Sequence, residues 1–311
     1  MSRWFLCFLF AFSSVIYADQ DTITIQFSFD IRAVITIPHT LSGKRDTLDV
    51  VYFALPNGNT IEQTMGRIPP SDAEWRYGIQ HIDAQSRWLR KHAGMNNLIT
   101  VYLETKQKSW PAWKKEHLIT YKEYIRLADS TIKAALKAKY FRICLNGHSG
   151  GGRFIFSYID AFNGVPADVN RIAFIDSNYG YELIYKEPLL KFTQRSGNVL
   201  AVFAYNDSVA LLNGERIVSD TGGTWHRSRM MLKDMSDYYT FGRGGDDVVT
   251  RYISEKGNIF FFLKSNPDRG IYHTQQVAQN GFIHSLLAGT PHSESGYRYY
   301  GERVYEDLIL Q

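Results

Sequence analysis

The sequence predicts an α/β domain: a mostly parallel central sheet with helices on both faces, an antiparallel N-terminal edge and an inserted cap between the last two strands. Three observations lead there. The first apolar segments alternate with a period of two and have no helical stretch between them. From about residue 48 onward, strand-like and helix-like segments take turns, the pattern of parallel strands joined by helical crossovers. No Pro/Ser tract, block of like charge or repeat divides the chain, so residues 19–311 read as one domain.

Each element follows from its pattern. In "DTITIQFSF" (21–29), Ile23, Ile25, Phe27 and Phe29 alternate with polar residues, as in a half-buried strand. "AVITIP" (33–38) is its neighbour, and "TLDVVYFALPNGNT" (47–60) is a strand that runs into a Pro-Asn-Gly turn. In 78–94, Ile79, Ile82 and Leu89 share a helical face, and Gly94 is a stop. "NLITVYLET" (97–105) returns to strand. "YKEYIRLADSTIKAALKAK" (121–139) is the clearest helix, followed by strand 140–146 and helix 152–162. "RIAFIDS" (171–177), "NVLAVFAYND" (198–207) and "NIFFFLKSN" (258–266) are further strands, and 274–289 is the last long helix.

Between strand 140–146 and helix 152–162 stands one serine among four glycines, "GHSGGG" (147–152). Ordering glycine costs entropy, so such a cluster marks a backbone that needs it. Gly147-His148-Ser149-Gly150-Gly151 fits G-x-S-x-G, and a strand before it with a helix after it is the context in which that motif carries meaning. With this motif in this place, the chain resembles the α/β-hydrolase fold family over nearly its whole length after residue 18.

The resemblance implies a serine hydrolase of an ester, amide or peptide bond that works without a cofactor. Ser149 is its nucleophile, and the Gly150 amide donates to the oxyanion. A serine hydroxyl needs a base, and the base needs an orienting acid. The family order is serine, acid, histidine, with the last two after later strands. Asp207 ends the strand 198–207, and His273 follows the last strand, so Ser149, Asp207 and His273 are the expected triad. Asp176, in "FIDSNYG", is the alternative acid; Asp268 is a weaker one. His226 and His284 are rival bases. The resemblance puts a second oxyanion donor in the loop "LPNGNT" (55–60), where Gly58 with Asn57 or Asn59 stands in place of the frequent His-Gly.

His148, Trp110 and Trp113 are expected to line the substrate pocket, the tryptophans as flat apolar surfaces for a sugar ring or acyl group. Residues 208–257 exceed what a crossover needs, and their glycines suit the inserted cap. "GGDD" (244–247) reads as a solvated turn; with no H-E-x-x-H and no histidine cluster of metal spacing, no metal is expected.

The N-terminus, "MSRWFLCFLFAFSSVIYADQ", has a positive Arg3, an apolar run from Trp4 to Phe12 and small residues up to Ala18. That is the layout of a secretory signal peptide (1–18), which implies a secreted or periplasmic protein with no membrane span after cleavage. Its removal leaves Cys144 alone, so no internal disulfide forms. A content of 44% hydrophobic and 14% aromatic residues excludes a disordered chain. The formal charge of +4 is scattered, which speaks against a nucleic-acid partner. The expected partner is a small-molecule, glycan, peptide or cell-envelope substrate. Two other functions fit the same residues: a glycan- or peptide-binding protein on a hydrolase scaffold, and an acyltransferase with the same triad.

Overall fold

A computed structural model describes residues 19–39, 41 and 47–310 of the chain. The proposed leader, 1–18, lies outside them.

Ten strands form one sheet. In sequence these are β1 (Gln20–Gln26), β2 (Ile31–Pro38), β3 (Thr47–Ala54), β4 (Ile99–Thr105), β5 (Tyr140–His148), β6 (Val169–Ile175), β7 (Val199–Tyr205), β10 (Phe241–Gly245), β11 (Val249–Ser254) and β12 (Ile259–Lys264). Between β7 and β10, the dipeptides β8 (Leu211–Leu212) and β9 (Glu215–Arg216) pair in a separate small hairpin. The order across the sheet is β1-β2-β4-β3-β5-β6-β7-β12-β11-β10. From β4 through β12 all neighbours are parallel. β1 and β2 close one edge antiparallel, and β10 and β11 close the other.

The strands are buried on both faces, with the side-chain period of two sorting them into two cores. Tyr52, Leu145, Phe174, Val202 and Phe261 belong to one, and Phe53, Cys144, Ala173, Phe203 and Phe262 to the other. Helices α1 (Ile61–Met65), α2 (Ile82–His92), α8 (Gln275–Ala278) and α9 (Gly281–Leu287) cover the second core. On the first lie α3 (Trp110–Glu116), α4 (Tyr121–Leu136), α5 (Gly152–Ala161), α6 (Lys186–Gln194) and α7 (Thr224–Ser236).

Two expectations change in detail. The insertion 208–257 is present, but most of it extends the fold. It holds the short β8–β9 hairpin, then α7 packed on the sheet, then β10 and β11, which pair onto β12 as a second antiparallel edge. The last helix is broken: Asn280 takes a left-handed φ of 61° between α8 and α9. Its side-chain amide donates to the carbonyls of Arg298 and Glu302, which ties the C-terminal segment down. No helix among the described residues is long and apolar enough to cross a membrane.

Candidate active site

β5 runs straight into Ser149, a short 3-10 turn carries the chain through Gly151, and α5 begins at Gly152. Ser149 holds φ at 55°, in the left-handed region that costs a non-glycine residue about 1–3 kcal/mol. The glycines allow the turn because backbone crowds it. A Cβ on Gly147 would sit 2.9 Å from the Gly151 carbonyl carbon, and one on Gly151 or Gly152 would overlap the carbonyl oxygen of Ala54 or Ser177. A Cβ on Gly150 would strike the Asn57 side chain, so the loop after β3 lies directly over the turn.

Ser149 opens onto a cleft of about 270 Å³, shared with Asn57, Pro111, Gly150, Arg153, Ser177, Tyr179 and Gly180. Among the described residues no hydrogen bond reaches its hydroxyl. His148, the next residue back, is buried, and its ring lies 4.5 Å from the ring of His273, centre to centre. His148 Nε2 donates to the His273 carbonyl at 3.1 Å, which fixes it as the Nε2–H tautomer and anchors the loop after β12. Burial, reinforced by His273, holds the His148 pKa well below the usual histidine value, so the ring is neutral.

The His273 ring meets Asp176: Nδ1 lies 2.5 Å from Oδ2. Asp176 follows β6, is fully buried, and holds φ at 45° while its amide donates to the Phe203 carbonyl at 2.8 Å. Its other oxygen bonds the Thr224 hydroxyl. Tyr179 packs edge-on to His273 at 6.4 Å.

Asp207, expected beside His273, is instead occupied at the start of α7. Its carboxylate accepts from the Thr224 amide at 2.7 Å and the Trp225 amide at 3.3 Å, and lies 3.2 Å from the Thr224 hydroxyl. Gly223 permits that approach, since a Cβ there would collide with the carboxylate. Burial, and secondarily the charge of Asp176, pushes the Asp207 pKa up to about 6. Thr224 thus bridges the two acids.

Other sequence candidates also lie elsewhere. Trp110 and Trp113 are in the core on α3, with rings 5.4 Å apart, and Trp113 Nε1 donates to the Phe29 carbonyl at 2.9 Å; Pro111, between them, reaches the cleft. His148 backs the site without lining it. The Gly58 amide is committed to the Lys108 carbonyl at 2.8 Å, and Asn59 is buried, so Asn57 is the residue of that loop that reaches Gly150 and the cleft. His284 is buried against the Tyr297 hydroxyl at 2.8 Å, His226 is on α7, and Asp268 bonds the Tyr272 hydroxyl. In "GGDD", Asp246 accepts from the Val248 and Val249 amides and pairs with Arg298, as a turn residue does.

The sequence reading missed Arg153, Ser177, Tyr179 and Gly180. Three of them stand in "FIDSNYG" with Asp176 or just beyond it, and Arg153 is four positions after Ser149; spacing from those two residues was the available signal.

No protein-family model matches the chain, and no curated protein matches it in sequence. Solved structures do match. A structure described as FAE is 10% identical with a TM-score of 0.54, over 90% of this chain and 91% of that one. An IroE-like serine hydrolase from Shewanella oneidensis is 14% identical with a TM-score of 0.48, over 87% and 80%. The siderophore hydrolase EstB from Aspergillus nidulans is 12% identical with a TM-score of 0.42, over 86% and 96%. With the sheet order, the parallel centre and the strand–turn–helix at Ser149, the chain has the α/β-hydrolase fold.

Proposed function

We propose that the protein is a serine hydrolase that cleaves a carboxylic ester through an acyl-enzyme on Ser149. The observation that carries this reading is the meeting of a left-handed serine at the strand–helix turn with two loops, after β6 and after β12, that carry a paired carboxylate and histidine. Asp176 accepts from His273 Nδ1–H, which leaves Nε2 as the proton acceptor. Ser149 Oγ attacks the scissile carbonyl while its proton passes to Nε2. The Gly150 amide, at the start of the turn into α5, donates to the oxyanion, and the Asn57 segment, which lies against Gly150, supplies the second donor. His273 then gives the proton to the leaving alkoxide. Water, activated by the same imidazole, attacks the acyl carbon and releases the acid. The Ser149–His273 hydrogen bond forms with substrate in place, as catalytic contacts commonly tighten in the complex.

The layout of residues 1–18 supports export, with cleavage after Ala18; the N-terminal residue of the mature protein tests it. For the chemistry, a fluorophosphonate probe should label the wild type, and Ser149→Ala should abolish both labelling and p-nitrophenyl acetate turnover, a loss of at least about 10³-fold. Equal labelling of wild type and variant contradicts the reading.

A further inference from the structure

The cleft beside Ser149 holds a cation, Arg153, that no carboxylate among the described residues pairs with. Arg153 is the second residue of α5, half-buried, with its guanidinium over Gly180 on the wall that Ser149, Asn57 and Tyr179 share. Gly180 makes room for it: its backbone is not left-handed, yet a Cβ there would stand 3.1 Å from the guanidinium carbon. Among the described residues no carboxylate comes within 4.0 Å of Arg153 and no hydrogen bond leaves its side chain. Two acids of the same helical layer are engaged by other groups. Asp160 takes Lys114, Tyr121 and Tyr185, and Asp234 takes the Tyr181 hydroxyl. Arg32, Arg142, Arg251 and Arg298, by contrast, all meet carboxylates. A planar, permanently charged fork left open in a cleft is built to take two oxygens of one anion.

We propose that Arg153 is the specificity-determining residue of this site: its substrates are esters that carry a free carboxylate within a few bonds of the scissile carbonyl, and Arg153 holds that carboxylate as a bidentate pair. This rests on the hydrolase reading for turnover, but not for binding. The carboxylate comes from the acyl part, as in a half-ester of a dicarboxylic acid, or from the alcohol part, as in an acylated hydroxy acid.

Two substrate pairs separate these sources. On the acyl side, p-nitrophenyl hemiglutarate is compared with p-nitrophenyl valerate. On the alcohol side, 3-acetoxybenzoate is compared with its methyl ester. The wild type should favour the anionic member of at least one pair, and Arg153→Met should cut that anionic-to-neutral ratio of kcat/KM by about ten- to a hundredfold, the range of hydrogen bonds to a charged group. Arg153→Lys should retain part of the preference. Circular dichroism and fluorophosphonate labelling check that the variants are folded. No preference in either pair, or a ratio that Arg153→Met leaves unchanged, overturns the proposal while leaving the hydrolase standing. Calorimetry on Ser149→Ala with monomethyl glutarate and 3-acetoxybenzoate reads the clamp without turnover. Binding of either that weakens at least tenfold when Arg153→Met is added supports the clamp even where no ester is cleaved, and binding of neither contradicts it.

Discussion

Asp176 and Asp207 end neighbouring parallel strands, and both are buried, yet they do different work. Asp207 follows β7 and looked the better acid in the sequence. Its oxygens are taken by the first amides of α7, where a carboxylate satisfies donors the helix cannot and complements its dipole. Asp176 follows β6 and keeps one oxygen for His273. The lesson is that a strand end makes a carboxylate available, and the backbone donors that arrive around it decide what it can still do. Here the N-terminus of α7 claims one acid and leaves its neighbour to the imidazole, with the Thr224 hydroxyl touching both.

That comparison can be broken by substitution. Asp176→Asn should lower kcat by about 10³–10⁴-fold on a neutral ester, because the amide favours the wrong imidazole tautomer. Gly152→Ala tests the ground on which Asp176 stands: the added Cβ would run into the carbonyl of Ser177, the next residue. Overpacking of that kind costs about 1–3 kcal/mol, read as a lower denaturation midpoint, and it should displace the acid loop enough to lower kcat as well. Thr224→Val removes the shared hydroxyl and leaves an Asp176 oxygen buried without its partner. It should lower kcat by about tenfold, the cost of one buried hydrogen bond in free energy. Asp207→Asn should change kcat by no more than about threefold, since Asp207 makes no hydrogen bond to His273 and an asparagine oxygen still accepts from the first amides of α7.

The two acids also separate by pH. The Asp207 pKa rises from 3.8 to about 6 on folding, so between those values the native state holds a proton that the unfolded chain has lost. A raised acid pKa therefore favours the native state at low pH, and that advantage is lost as pH rises through 6. Wild type relative to Asp207→Asn should gain about 2 kcal/mol between pH 7 and pH 4 in paired denaturation curves. The absolute curve runs the other way. Burial lowers the pKa of His148, of His81 to about 4 and of His284 to about 3. Below pH 6.5 the unfolded chain binds protons that these rings refuse, so overall stability should fall with acid, and only the paired difference isolates Asp207.

The sheet and the Ser149 turn were legible because their signals are local: a period of two, a run of glycines, an alternation of elements. The β10–β11 edge was not, since "FGRGG" is a poor strand by composition and pairs because β11 offers it an open edge. Trp110 and Trp113 read as pocket walls because the same rings serve cores and ligands; helix α3 turns both inward. The choice between Asp176 and Asp207 was invisible for the same reason: it depends on where Thr224 and Trp225 arrive from elsewhere in the chain.

The most direct test of the His273–Asp176 pair is proton NMR of the histidine Nδ1–H, which a short bond to a carboxylate moves far downfield. The resonance should be present in the wild type and in Asp207→Asn, and absent in Asp176→Asn. A signal that survives in Asp176→Asn and disappears in Asp207→Asn would contradict the account.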